Sequence, residues 1–221
     1  MVSKRIGIVL TFFFIFWLSG GASGQTQGKD SSQSPTDGFK SAGEVAKNHE
    51  QARESFIKKE LKASSEAIRK AVENLGALEI RAARDREKAY LESIEGLRKL
   101  ADRVEKGTVK SVKEIDMAFV QASHNLAQHH YIKGMSSWGR KEGVQTGQEL
   151  RAAAIYLEEG IKWMGEKGKQ EADAVVKDTH LLAGKLIEGA QITDQEAKKG
   201  FKALKAEIDK LGKKVKPAQK K

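Results

Sequence analysis

The sequence predicts an all-α fold, an elongated antiparallel bundle of about four long helices with coiled-coil-like seams. Three observations carry this. Apolar residues recur at alternating spacings of three and four through most of the chain, the rhythm that keeps one helix face against a partner. Charged residues make up 32% of the 221 and aromatics 6%, with only two prolines, a composition that suits long helices. Ser41–Glu44 and Thr193–Glu196 have the spacing of a capping box, in which hydroxyl and carboxylate satisfy each other's backbone N–H groups at a helix start.

Residues 1–24 stand apart and read as a signal peptide. Lys4 and Arg5 precede an apolar run from Ile6 to Leu18, and small residues follow, with Ala22 and Gly24 suited to a cut before Gln25. The apolar run is shorter than the roughly 20 residues of a membrane-spanning helix. The expected location is therefore exported, periplasmic or extracellular. Cysteine is absent, which excludes disulfides, thiolate chemistry and a lipid-modified cysteine. Residues 25–40, rich in Gln, Ser, Gly and Asp, read as a flexible linker.

The bundle is expected over 41–192. From Ser41 to Glu105 there is no proline and no cluster of turn residues. Ile68, Val72 and Leu75 form one run, and Tyr90, Ile94, Leu97, Ala101 and Val104 another; their registers slip near Gly76, where a kink or short break is expected. Lys106–Gly107 ends this stretch, with Thr108 and Ser111 as new caps. A second helix follows from about Val109 to Trp138, with two neighbouring apolar stripes. Gly139, Gly143 and Gly147 read as a turn; the competing reading puts them on one helix face where another backbone approaches. The third helix, capped by Thr146, holds Leu150, Ala154, Leu157, Ile161, Met164, Gly168, Glu171, Val175, Asp178 and Leu182 in one seam reaching Gly189. Tyr90-Leu91-Glu92 and Tyr156-Leu157-Glu158 match too briefly to mark a repeat.

Residues 193–221 form an amphipathic basic C-terminal helix and tail. Phe201, Leu204, Ile208, Leu211 and Val215 make its apolar stripe. Net charge is +10 over the chain, and Lys4 and Arg5 supply two of those charges. Ten lysines against Glu207 and Asp209 between Lys198 and Lys221 supply the other eight, so residues 25–197 are neutral. Lys198, Lys199, Lys202, Lys205, Lys213 and Lys214 are the candidate surface-binding residues, for an anionic membrane surface. The plainer reading is a core helix with a solvated lysine face. No basic patch interleaved with aromatics points to nucleic acid.

Of five histidines, none pair at the i, i+4 spacing of helical metal ligands. His124 lies on an otherwise apolar stripe, and His180 shares one with Val176, Ala183 and Ile187. With Met117 and Met164 they are the candidate cofactor ligands, for haem or a metal between facing helices; the plainer reading makes both histidines buried core or rim residues. His129–His130 reads as a helix edge. No nucleophile elbow or phosphate-binding loop is present. The sequence thus points to a non-catalytic binding or scaffolding protein of the cell envelope, whose partners are an envelope protein, a second copy of itself or an anionic surface. The alternative is a small haem- or metal-binding bundle.

Overall fold

The computed structural model describes residues 36–76, 84–165 and 169–215. The expected signal peptide, the linker as far as residue 35, Gly168 of the third seam and the tail beyond Val215 lie outside the described residues. Within them the fold is all-α, with no strand. The expectation of about four long helices is corrected to seven: α1 (Thr36–Ile57), α2 (Leu61–Gly76), α3 (Arg84–Glu105), α4 (Val112–Gly139), α5 (Gly143–Met164), α6 (Lys169–Ile187) and α7 (Asp194–Val215).

The extra breaks have local causes. α1 ends where Lys59 adopts a φ of 63°, a left-handed conformation costly for a residue with a Cβ. No glycine marks this turn, so the first long helix looked continuous in sequence. α5 ends at Gly165, with φ 84°, which splits the seam drawn from Leu150 to Leu182. Gly76 is the last residue of α2, beside the register slip. α1 begins at Thr36, five residues before the start expected from Ser41. The Thr193 capping box forms: Glu196 N–H donates to Thr193 Oγ1 (3.2 Å) and Thr193 N–H to Glu196 Oε2 (3.0 Å).

The seven helices are not independent, because four pairs of their boundaries repeat at an offset of 82 residues. α1 and α4 end at Ile57 and Gly139; α2 and α5 begin at Leu61 and Gly143; α3 and α6 end at Glu105 and Ile187; α4 and α7 begin at Val112 and Asp194. The turns match bond for bond. Lys59 N–H donates to Phe56 O and Lys141 N–H to Trp138 O; Glu60 to Ser55 O and Glu142 to Ser137 O; Thr108 to Arg103 O and Ala190 to Lys185 O. Lys141 shares the positive φ of Lys59, at 61°, and Gly107 and Gly189 share theirs, at 66° and 76°. Packing follows the same rule: α1 lies on α2 as α4 on α5, α2 on α3 as α5 on α6, and α3 on α4 as α6 on α7. His49 stacks near Phe119 as Tyr131 does near Phe201, each pair again 82 residues from its counterpart. Residues 36–111 therefore form one three-helix repeat and residues 112–193 a second, with α7 in the place where a third would begin.

α4 and α5 are central. They fold back on one another, so Gly134 meets Glu149 and Leu150 near the turn while Ser123 meets Gly160 further along. Phe119, Leu126, Leu150, Tyr156 and Leu157 are fully buried between them and their neighbours, each worth about 1.5–3 kcal/mol of apolar burial. The glycines serve both readings of the sequence. Gly139 and Gly143 flank the turn, whereas Gly147 lies where a Cβ would stand 2.6 Å from the Ala183 carbonyl oxygen of α6. α7 belongs to the core: it buries Phe201, Leu204, Ile208 and Leu211, and Leu211 fits over Gly160.

Candidate functional site: buried histidine–carboxylate pairs on the central hairpin

The expected ligand residues fall in different surroundings. His124 is half-buried on α4, its ring seated over Gly212 of α7 and its Nδ1 3.2 Å from Asn125 Oδ1. His180 is half-buried on α6 beside Glu158 and Arg151 of α5, and burial lowers its pKa. Met117 and Met164 are partly buried hydrophobics packed against the core. Among the described residues no group of three or more His, Asp or Glu side chains is arranged to hold a metal ion. The six candidate surface-binding lysines of α7 are all exposed, and Lys205 pairs with Asp209 at 2.7 Å.

The structure draws attention to two other histidines. His49, on α1, is 1% exposed. Its Nε2 meets Asp116 Oδ1 of α4 at 3.0 Å, and Arg53 reaches the same carboxylate at 3.3 Å. The ring lies between Phe119 and Trp163, with centroids 4.5 and 4.1 Å away. Burial lowers the His49 pKa to about 4, against the pull of Asp116. The imidazole is therefore neutral near pH 7, donates from Nε2, and leaves Nδ1 as a buried acceptor without a hydrogen bond. Trp163 Nε1 is likewise buried and unbonded.

His130, on α4, repeats the theme. Its Nδ1 donates to Glu149 Oε2 of α5 at 2.8 Å, and Lys133 and Gln145 each meet Glu149 Oε1 at 2.8 Å. Burial pushes the Glu149 carboxyl up, but the hydrogen bond and electrostatic pull of His130 and Lys133 outweigh it and hold the pKa at about 2. Tyr156 stacks on His130 with centroids 5.5 Å apart and planes 9° from parallel. His130 Nε2 and Tyr156 Oη are both buried without hydrogen bonds. Tyr90 and His129 close the cluster, the Tyr90 hydroxyl donating to Leu75 O at the end of α2.

The repeat acts as an internal control. At the positions of His130, Glu149 and Tyr156, the first repeat has Asn48, Ala67 and Asn74; at those of His49 and Asp116, the second has Tyr131 and Lys198. The same repeat geometry forms without either histidine–carboxylate pair, so neither pair is demanded by the fold. Each is a carboxylate-oriented imidazole whose other nitrogen points into the interior, a group able to hold or pass a proton. Sequence reasoning passed over them because their partners lie 67 and 19 residues away and neither pair has a spacing signature. Comparison with protein-family models, with curated proteins and with solved structures finds no match.

Proposed function

We propose that this chain is an exported, non-catalytic binding or scaffolding protein of the cell envelope, built from tandem helical repeats and docking on an anionic surface through α7. The observation that carries the reading is the outer face of α7. α4 uses Val120 and Ser123 in the interior; the equivalent α7 residues are the exposed Lys202 and Lys205. A solvent-facing helix surface needs to be polar, but it has no need to be cationic. Residues 25–197 balance their charges, whereas Lys198, Lys199, Lys202, Lys205 and Lys213 share one face opposite the buried stripe. Such a face is drawn to anionic headgroups at close range and is screened beyond about 8 Å at physiological ionic strength.

The test uses the mature chain and a variant with Lys198, Lys199, Lys202 and Lys213 changed to Gln, four exposed positions whose loss leaves the core intact. Binding to vesicles of anionic and of zwitterionic lipid is measured by co-sedimentation at low and high salt. The parent should bind only the anionic vesicles, and less at high salt; the variant should lose binding with an unchanged melting temperature. Absence of binding by the parent, or retention by the variant, rejects α7 docking.

A further inference from the structure

At the end of the first repeat, the α1–α2 turn and the α3–α4 connection enclose an open cleft of about 410 Å³. Phe56, Ile57, Leu61, Val109 and Val112 form its apolar walls, and Lys59 and Lys110 stand at its edge. Ile57 is 59% exposed, the most exposed large hydrophobic side chain among the described residues. Neither lysine ammonium is in an ion pair with a carboxylate among the described residues. The nearest acid of α4, Glu114, is occupied by the Lys110 backbone N–H and the Arg103 guanidinium.

The second repeat shows what the fold itself requires here. In place of Ile57, Leu61, Val109 and Val112 it has Gly139, Gly143, Gln191 and Asp194, and in place of Lys110 it has Ile192. The two turns are the same in backbone and Trp138 keeps the aromatic place of Phe56, yet the rest of the apolar wall and the second cation occur only in the first. They are additions to the repeat, and together they combine an apolar trough with two unneutralised positive charges at its rim. A cleft of this volume falls in the range of small-molecule sites.

We propose that this cleft binds a single-chain anionic amphiphile of the fatty-carboxylate class, its chain along Phe56, Ile57, Leu61 and Val109 and its head between Lys59 and Lys110. Charge complementarity selects the head and apolar burial the chain; a small carboxylate alone gains too little contact, and a neutral amphiphile leaves both ammoniums unused. The site is separate from α7, so it stands or falls apart from the docking proposed above.

The test is isothermal titration calorimetry of the mature chain with decanoate, with acetate, and with decyl maltoside, all below micelle formation. Decanoate should bind, acetate should not, and the neutral amphiphile should bind at least tenfold more weakly. Lys59→Gly combined with Lys110→Gln should lower decanoate affinity at least tenfold; glycine suits the positive φ at residue 59, so folding is preserved. Ile57→Ser should weaken both amphiphiles. Lys141→Gln, at the equivalent turn of the second repeat, is the control and should change nothing. Equal affinity for the neutral amphiphile, full binding by the double variant, or loss of binding only when the α7 lysines are changed would each overturn the proposal.

Discussion

The two repeats build the same turns and the same crossings twice, with different residues in the interior. Where α2 and α3 meet, Arg69 spans to Asp102 and Glu105 at 2.9 and 2.7 Å; at the corresponding crossing Arg151 lies against Gly184. Where α1 and α2 bury Asn48 and Ala67, α4 and α5 bury His130 on Glu149. What recurs is backbone geometry and the burial of particular positions; what varies is the chemistry at those positions. A feature present in only one repeat is therefore not explained by the fold.

The largest effect should come from the central hairpin, where α4 and α5 each pack on four other helices. α5 packs on α1, α4, α6 and α7, whereas α2 packs chiefly on α1 and α3. Leu157 and Leu75 are equivalent, and both are fully buried. Leu157→Asp buries an unpaired charge at a cost of several kcal/mol and should abolish the cooperative thermal transition. Leu75→Asp should leave residual helix by circular dichroism. Equal collapse would mean that the repeats do not differ in their support.

Acid should separate the repeats next. The His49 pKa is about 4 in the fold against 6.5 for a free imidazole, so the unfolded chain binds the proton first. Stability should be complete above pH 6.5 and should fall by about 3 kcal/mol as pH drops through 4. His49→Tyr, which installs the residue of the second repeat, should remove that loss. The test is urea unfolding from pH 7 to 4, and an unchanged acid slope in the variant would refute the assignment. The Glu149 contribution lies lower, between its ordinary value and about pH 2.

A smaller contrast lies at the α5–α6 crossing. Gly147→Ala drives a methyl against the Ala183 carbonyl and should cost about 1–3 kcal/mol. Ser65→Ala, at the equivalent position, loses the 2.7 Å hydrogen bond from Arg69 and should cost about 1 kcal/mol. Smallest of all, Lys59→Gly and Lys141→Gly should each stabilise by about 1 kcal/mol, relieving the same left-handed turn. Unequal shifts in melting temperature would show that the two turns are not alike.

Part of this organisation was legible in the sequence. The helical class follows from spacing and composition, and the Thr193–Glu196 box is a local motif that forms as written. The Lys59 turn was not legible, because a left-handed lysine leaves no glycine behind. Neither was the repeat: 12 of the 98 positions in 36–133 match those 82 residues later, and the conserved quantity is burial, which many apolar residues satisfy equally. The candidate ligands were chosen by stripe, which locates a face without naming its neighbour; thus His124 meets Gly212 of α7. His49 and His130 were missed because their carboxylates come from other helices.

The central claim is that the buried histidine–carboxylate pair of the second repeat is additional to the fold. A double-mutant cycle on His130 and Glu149, read by urea unfolding at pH 7, tests it most directly. Glu149→Ala alone should cost about 1–3 kcal/mol, since it leaves the buried His130 Nδ1–H without its acceptor and Lys133 without its carboxylate. Adding His130→Asn, which restores the Asn–Ala combination of the first repeat, should recover part of that loss. A double variant less stable than Glu149→Ala, or one that fails to fold while each single variant folds, would contradict the account and make the pair a structural requirement of the hairpin.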